Sequence, residues 1–495
     1  MEVTETDASL EPDVVETHIS TVVFVGNRAF KFMKPLTTAF LDQSTTEKRR
    51  RACEVELFLN RRIAPDVYLG VGQVVEDDVV TDHFLVMRRL PVARRLSTLV
   101  GSDEFPDAVR DVARTVAAFH ARQPATSLAA EMASREGVAG LWAANIEEMG
   151  SFGNDVVERH DLDRLGEAAR RYLEGRDALF VSRLRQGFAR DGHGDLLADD
   201  IFMLDDGPRV LDCLAFDERL RCGDVLLDVA FLAMDLERLG APQIAEHFME
   251  CYRTFSAEHH PRSLAHFYIA YRALVRAKVN YLRAAQGDGK AGAAAQSFLR
   301  QCTDHLEAAQ PLLVLVGGSP GTGKTTLAND LADALDLLVL SSDEVRKDLM
   351  GIAHTEHAYA PPGQGIYTPA ISARTYEELI RKGRHVIELG ESVVLDASWT
   401  RAEDRHVARL MGDELRACVV ELRCDVAPEV AAARIAARMQ TSDPSDATPE
   451  IADHLRAHLD PWPESVTIDT NRARQTTTQE ATDACLKTRR HLMTH

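Results

Sequence analysis

Residues 318–325 read Gly318-Ser319-Pro320-Gly321-Thr322-Gly323-Lys324-Thr325. This is the P-loop pattern in full. It follows a continuous apolar run, Leu312 to Val316, and precedes a helical pattern, Thr326 to Leu335. In that strand–loop–helix setting the glycines let backbone N–H groups turn inward around phosphates. The helix N-terminus adds its partial positive charge. Lys324 is expected to reach the β- and γ-phosphates of ATP, and Thr325 to hold Mg²⁺. The stretch from Gly318 to Thr326 is the expected nucleotide contact.

Working outward, further apolar runs alternate with helical patterns: Leu337 to Leu340, Ser392 to Leu395 and Cys418 to Leu422. Strands buried on both faces of a parallel α/β sheet read this way. Asp343 follows the second run, in Ser341-Ser342-Asp343-Glu344-Val345-Arg346-Lys347. An aspartate at the carboxyl end of a strand faces the ligand crevice. There it accepts a proton from a substrate hydroxyl, or else it caps the next helix. Arg346 either holds a substrate anion or lies on a solvated face. Asp396 ends the strand Val393-Val394-Leu395, where a carboxylate orients Mg²⁺ or its water. Arg434 and Arg438 lie four apart and share a helix face. They precede the loop Ser442 to Pro449, so they read as a lid over ATP or as an exposed basic face. Residues 311–495 resemble the small P-loop kinases of the adenylate-kinase-like group. The Ser-Asp-x-x-Arg-Lys segment is similar to the acceptor site of the polynucleotide-kinase, gluconate-kinase and zeta-toxin relatives. That resemblance implies a five-stranded parallel sheet with helices on both faces.

A second constellation lies upstream. His193-Gly194-Asp195-Leu196-Leu197-Ala198-Asp199-Asp200 precedes an apolar strand, Ile201 to Leu204. The turn Asp205 to Pro208 leads to another strand, Arg209 to Leu211, which ends at Asp212. The spacing from Asp195 to Asp200 matches the kinase catalytic loop H-x-D-x-x-x-x-N, and Asp212 matches its later metal-binding aspartate. Asp195 is expected to deprotonate the accepting hydroxyl, and Asp200 and Asp212 to bind Mg²⁺. Asp200 stands where asparagine is usual and adds a negative charge. Gly223-Asp224 and Asp228 follow, reading as helix caps and surface charge. The segment resembles the aminoglycoside phosphotransferase and choline-kinase family, over about Ser20 to Leu282. The resemblance implies instead that Gly223-Asp224 and Asp228 support the loop, and it implies a small-lobe lysine oriented by a helix glutamate. Lys31 sits among apolar neighbours in Ala29 to Met33 and is preferred to Lys34, which Pro35 follows. Glu56 is preferred to Glu54, because it shares a face with Ala52, Val55, Leu59 and Ile63. The Gly26-Asn27 hairpin is expected to cover the nucleotide, and Phe84 to Leu90, a strand that ends before Pro91, to form the hinge between lobes.

The fold class expected for the whole chain is therefore mixed. A bilobal protein-kinase-like domain over residues 1–285 is α+β, and a parallel-sheet P-loop kinase domain over 311–495 is α/β. Residues 286–310 form a linker and bridging helix. No apolar run approaches the length of a membrane span, and the acidic start carries no signal pattern, so a cytoplasmic chain is expected. A net charge of -20 repels phosphate backbones and anionic lipid, which disfavours nucleic-acid and membrane partners. The eight cysteines form no C-x-x-C pair, so reduced and mostly buried thiols are expected. His354 and His357 lack the H-E-x-x-H spacing of a metal pair. The expected activity is phosphotransfer from ATP to a small-molecule hydroxyl, with one site in each half. The alternative is a P-loop ATP-binding switch whose N-terminal half binds a ligand without catalysis. The sequence sets no oligomeric state.

Overall fold

The computed structural model describes residues 13–17, 19–37, 41–152, 157–356, 361, 363–438 and 449–491. In chain order, β1 (Asp13–Glu16), β2 (Ser20–Val25) and β3 (Arg28–Met33) precede α1 (Thr46–Arg61), β4 (Tyr68–Glu76) and β5 (Val79–Arg88). Helices α2 (Phe105–Arg122), α3 (Ser127–Met132), α4 (Arg135–Gly150), α5 (Arg159–Leu173) and α6 (Asp177–Arg185) follow. Then come β6 (Ala189–Asp191), β7 (Ile201–Leu204), β8 (Gly207–Val210), β9 (Cys222–Asp224), α7 (Val225–Arg238), α8 (Pro242–Ser256), α9 (Arg262–Ala285) and α10 (Ala291–Ala309). The last stretch is β10 (Leu312–Gly317), α11 (Lys324–Leu335), β11 (Leu338–Ser341), α12 (Ser342–Met350), α13 (Pro369–Glu388), β12 (Val393–Asp396), α14 (Ala402–Glu414), β13 (Cys418–Asp425), α15 (Pro428–Arg438), α16 (Pro449–Ala457), β14 (Val466–Asp469) and α17 (Arg474–His491).

Two compact units emerge. The first gathers Met1–Val138, Arg183–His259 and Tyr271–Leu299, and the second gathers Ala139–Ser182, His260–Ala270 and Arg300–His495. In the first, the strands form an antiparallel sheet ordered β1-β2-β3-β5-β4. Gly26 and Asn27 make the β2–β3 turn, with Val25 opposite Arg28 and Gly26 at φ +57°. Met33 and Leu85 of the sheet pack on Cys53 of α1. The buried face of α1 is Arg49, Cys53, Glu56, Leu59 and Asn60; Ala52 and Val55 are only half-buried. The face is rotated by about one position from the apolar stripe. Polar residues have partners that draw them inward: Arg49 meets Asp82 at 2.8 Å, and the Asn60 side-chain oxygen accepts from Cys213 N at 2.9 Å.

In the second unit the sheet is parallel, ordered β11-β12-β10-β13-β14. Every residue of β10 is buried, and side chains alternate between faces with period two. Leu313 and Leu315 join Leu379, Ile380 and Met411 of α13 and α14. Leu312, Val314 and Val316 join Leu327 and Leu331 of α11 and Cys485 of α17. Covering both faces is what makes the run apolar throughout. All eight cysteines are free, and seven of them are buried. Among the described residues no helix is long and apolar enough to cross a membrane.

Candidate functional site

In the second unit, β10 feeds the P-loop and α11 leaves it. Gly321 and Gly323 hold φ of +81° and +86°, which L-residues rarely adopt. A Cβ on Gly321 would also sit 2.5 Å from the Ala431 carbonyl oxygen. Thr322 Oγ1 donates to Ser319 O at 2.7 Å, and Gly318 N donates to Ser398 O at 3.2 Å. Pro320, Gly321, Gly323, Lys324, Thr325 and Thr326 line a cavity of about 830 Å³; Gly318, Ser319 and Thr322 are buried behind them. Strand pairing sets Asp396 opposite Val316 and Ser341. Thr325 Oγ1 donates to Asp396 Oδ2 at 2.7 Å. Burial raises the Asp396 carboxyl above its ordinary value, against the opposing pull of Lys324 and Thr325. A buried carboxylate beside the hydroxyl of Thr325 at the cavity wall is an oxygen pair that fits a hard divalent cation.

Across the cavity lies Asp343. Its N–H donates to Ser341 Oγ, so Ser341, not Asp343, caps α12. Arg346 Nη1 donates to Asp343 Oδ1 at 2.8 Å, and the guanidinium lies 5.0 Å over the Tyr367 ring. Arg346 is buried rather than solvated, and its Nε has no partner. Arg434 Nη2 donates to Thr470 O at 2.8 Å, and Thr470 Oγ1 donates to Thr322 O at 2.6 Å. Arg434 also lines the cavity, so it braces the phosphate loop rather than lying on an exposed face. The side chain of Arg438, the loop 439–448 and His357 lie outside the described residues. His354 meets Asp348 at 2.7 Å.

The first unit brings its own set together. Lys31 Nζ lies 2.8 Å from Glu56 Oε1 and 2.8 Å from Asp212 Oδ1. Burial opposes the Lys31 charge, but Asp212 and Glu56 outweigh it and hold the ammonium well above its ordinary value. Glu54 pairs with Arg50 instead, and Lys34 with Glu16. Asp212 holds φ +64°, and its N–H donates to the Tyr68 hydroxyl at 3.1 Å. Lys31 lowers the Asp212 carboxyl. Burial, then Asp212 and Asp195, pushes Asp200 well up. Burial also lifts Asp195, to about 6. Among the described residues no three metal-ligating side chains gather at one point. Each candidate magnesium site therefore rests on two side chains, Thr325 with Asp396 and Asp200 with Asp212. Mg²⁺ commonly takes its remaining ligands from phosphate and water.

Behind Asp195 stands a buried frame. Asp228 accepts from His193 N and Gly194 N, both at 2.7 Å, and pairs with His120 Nε2 at 2.9 Å. Asp224 caps α7 through Leu226 N and takes two hydrogen bonds from Arg183, at 2.8 and 2.6 Å. Both aspartates are buried, which rules out the surface-charge reading; the capping reading holds for Asp224. His120, Arg183, Tyr68 and Thr470 escaped the sequence reading. Each meets its partner across dozens of residues of chain, where no local spacing announces it.

The family model of the AAA domain matches residues 313–462. The chain is 38% identical over 471 residues to "Uncharacterized protein Rv2004c" of Mycobacterium tuberculosis, covering 95% of this chain and 94% of that one. The same figures hold for "Uncharacterized protein Mb2027c" of Mycobacterium bovis. Among solved structures, a choline/ethanolamine kinase family protein from Mesorhizobium loti is 13% identical. It covers 61% of this chain and 90% of that one, with a TM-score of 0.37.

Proposed function

The chain belongs to the family of those mycobacterial proteins, and we propose that it joins an aminoglycoside-phosphotransferase-like region to a P-loop kinase-type domain and acts as an ATP-dependent phosphotransferase on small-molecule hydroxyls. The observation that carries this reading is the Thr325–Asp396 pair at 2.7 Å, on the wall of a cavity that also holds Lys324, Asp343 and Arg346. Backbone N–H groups of the loop and Lys324 would bind the triphosphate. Thr325 and Asp396 would hold Mg²⁺, which when bound neutralises charge on the phosphates. Asp343, fixed by Arg346, would take the proton of the acceptor hydroxyl. The freed oxygen then attacks the γ-phosphorus, the bond to the β-phosphate oxygen breaks, and ADP leaves.

A second site in the first unit is favoured by the Lys31–Glu56 pair beside Asp212. A buried lysine already paired with a helix glutamate is the arrangement that orients ATP phosphates in kinases. Asp195 would be the base there, and Asp200 and Asp212 the metal ligands. This arrangement supports catalysis in both units over a first unit that only binds a ligand. The measurement that tests it is Mg·ATP turnover against sugars, amino sugars, nucleosides and aminoglycosides. Lys324→Ala and Asp195→Ala should each abolish a different acceptor-dependent activity. If neither variant changes any turnover, the reading fails; if only Lys324→Ala does, the first unit is a binding module.

A further inference from the structure

Helix α9 carries two arginines that lie near Asp195. Arg272 and Arg276 lie four residues apart on it, so both side chains leave from one face. Arg272 is 5% exposed. Its Nε donates to Leu227 O of α7 at 3.0 Å, and its guanidinium lies 4.7 Å over the Phe231 ring. The next residue of α7 after Leu227 is Asp228, which grips the backbone of His193 and Gly194. The arginine face of α9 is thereby anchored beside the loop that presents Asp195.

Among the described residues neither guanidinium has a carboxylate at ion-pair distance. Both feel Asp195 at longer range: Arg276 and Arg272 oppose the burial that lifts its carboxyl. Other acids near Asp195 are already engaged. Asp212 pairs with Lys31, Asp228 with His120, and Asp235 with Arg238 and the Ala198 N–H. Arg272 is buried and Arg276 half-buried, and among the described residues neither has a carboxylate in direct contact, which leaves the Arg276 fork open to an incoming anion. A guanidinium fork matches a carboxylate or phosphate geometrically.

We propose that Arg276, backed by Arg272, binds an anionic group of the acceptor, so that the first unit phosphorylates a hydroxyl acid or a sugar phosphate rather than a cationic amino sugar. This rests on the reading of Asp195 as the base of a phosphotransfer site. An uncharged or cationic acceptor would leave both arginines unmet or repelled.

The test uses the full chain filled with a non-hydrolysable ATP analogue and Mg²⁺. It is titrated calorimetrically with inorganic phosphate, D-gluconate and kanamycin in turn. At least one of the two anions should bind saturably, and which one binds separates a phosphate from a carboxylate acceptor. Arg276→Gln should weaken that binding by about tenfold or more, since it deletes a charged fork. Arg276→Lys, which keeps the charge, should restore part of it. Kanamycin should not bind at a site sensitive to Asp195→Asn. The inference falls if neither anion binds, if Arg276→Gln leaves anion binding within about twofold of wild type, or if kanamycin does bind there. Acceptor-driven turnover that never depends on Asp195 sinks the catalytic reading separately, because the anion titration does not require turnover.

Discussion

Asp195 carries opposed demands at the scale of one residue. Burial lifts its carboxyl to about 6, Arg276 and Arg272 pull it down, and Asp212 and Asp235 push it up. A base must be ionised, so turnover at this site should rise as pH passes about 6 and level off above it. The stability consequence has the opposite sign. A carboxyl whose folded value exceeds its unfolded value binds more protons in the folded chain over the interval between them. Stability from this residue is therefore lost as pH rises from about 4 to 6. Asp195→Asn should abolish turnover at this site and raise stability at neutral pH, by at most about 3 kcal/mol. Thermal unfolding at pH 5 and pH 7.5 checks this: the gain should be larger at the higher pH. A variant less stable than wild type at pH 7.5 would show that the carboxylate is bound by favourable partners instead. That an aspartate belongs at this position is legible from the H-x-D-x-x-x-x spacing. That its carboxyl is raised is not, because the arginines of α9 that oppose the rise lie some eighty residues downstream.

Helix α7 shows how an element positions a loop it does not contain. Asp224, its N-cap, accepts from Leu226 N in the first turn. One turn later, Asp228 reaches back to the backbone N–H groups of His193 and Gly194. Burial alone would raise the Asp228 carboxyl, but His120 and the loop N–H of His193 hold it well below the usual carboxylate range. A depressed folded value contributes stability above the unfolded value, near pH 4, and loses it as pH falls further. Asp228→Asn replaces one acceptor with an NH₂ that faces a donor, and removes the carboxylate that His120 contacts. It should cost about 3 kcal/mol, and acid unfolding of the variant should lose its steep dependence below pH 4. An unchanged melting temperature at pH 7 would mean that the loop is held by other contacts. Strands β2 to β5 of the small lobe and β10 to β13 of the parallel sheet could be located from apolar period and turn residues, whereas the helices between residues 127 and 185, and α7 and α8, could not. The inward face of α1 could not be: Glu56 and Asn60 are buried for partners on β3 and beside Asp212. Apolar periodicity does not register such partners.

The whole molecule is partitioned by packing rather than by chain order. Residues 139–182 and 260–270 share a compact unit with the P-loop sheet, although they lie far upstream of it. Local patterns mark the linker near residues 286–292 but carry no record of which distant helices share a core. The contacts are specific. Ser263 Oγ donates to Gly390 O at 2.6 Å, at the turn that enters β12. Gly390 itself leaves no room for a Cβ, which would sit 3.0 Å from Leu179, Pro261 and Ser263. Arg176, fully buried, donates to Leu415 O between α14 and β13. Glu174 pairs with Arg416 at 2.7 Å, and His266 with His305 at 2.9 Å. The Ser263, Arg176 and Glu174 contacts bear on the turns that launch β12 and β13, whose neighbour β10 carries the P-loop. A fragment of residues 311–495 would keep every residue read as nucleotide-binding in that half and lose this support. Leu415, the Leu415 carbonyl and the Gly390 turn would be left facing water. Such a fragment should unfold without the cooperativity of the intact chain and bind Mg·ATP weakly or not at all. Calorimetric unfolding and nucleotide titration of the fragment beside the full chain decide it. A sharp transition at the melting temperature of the intact unit, with undiminished nucleotide binding, would show instead that the upstream helices are dispensable to the sheet.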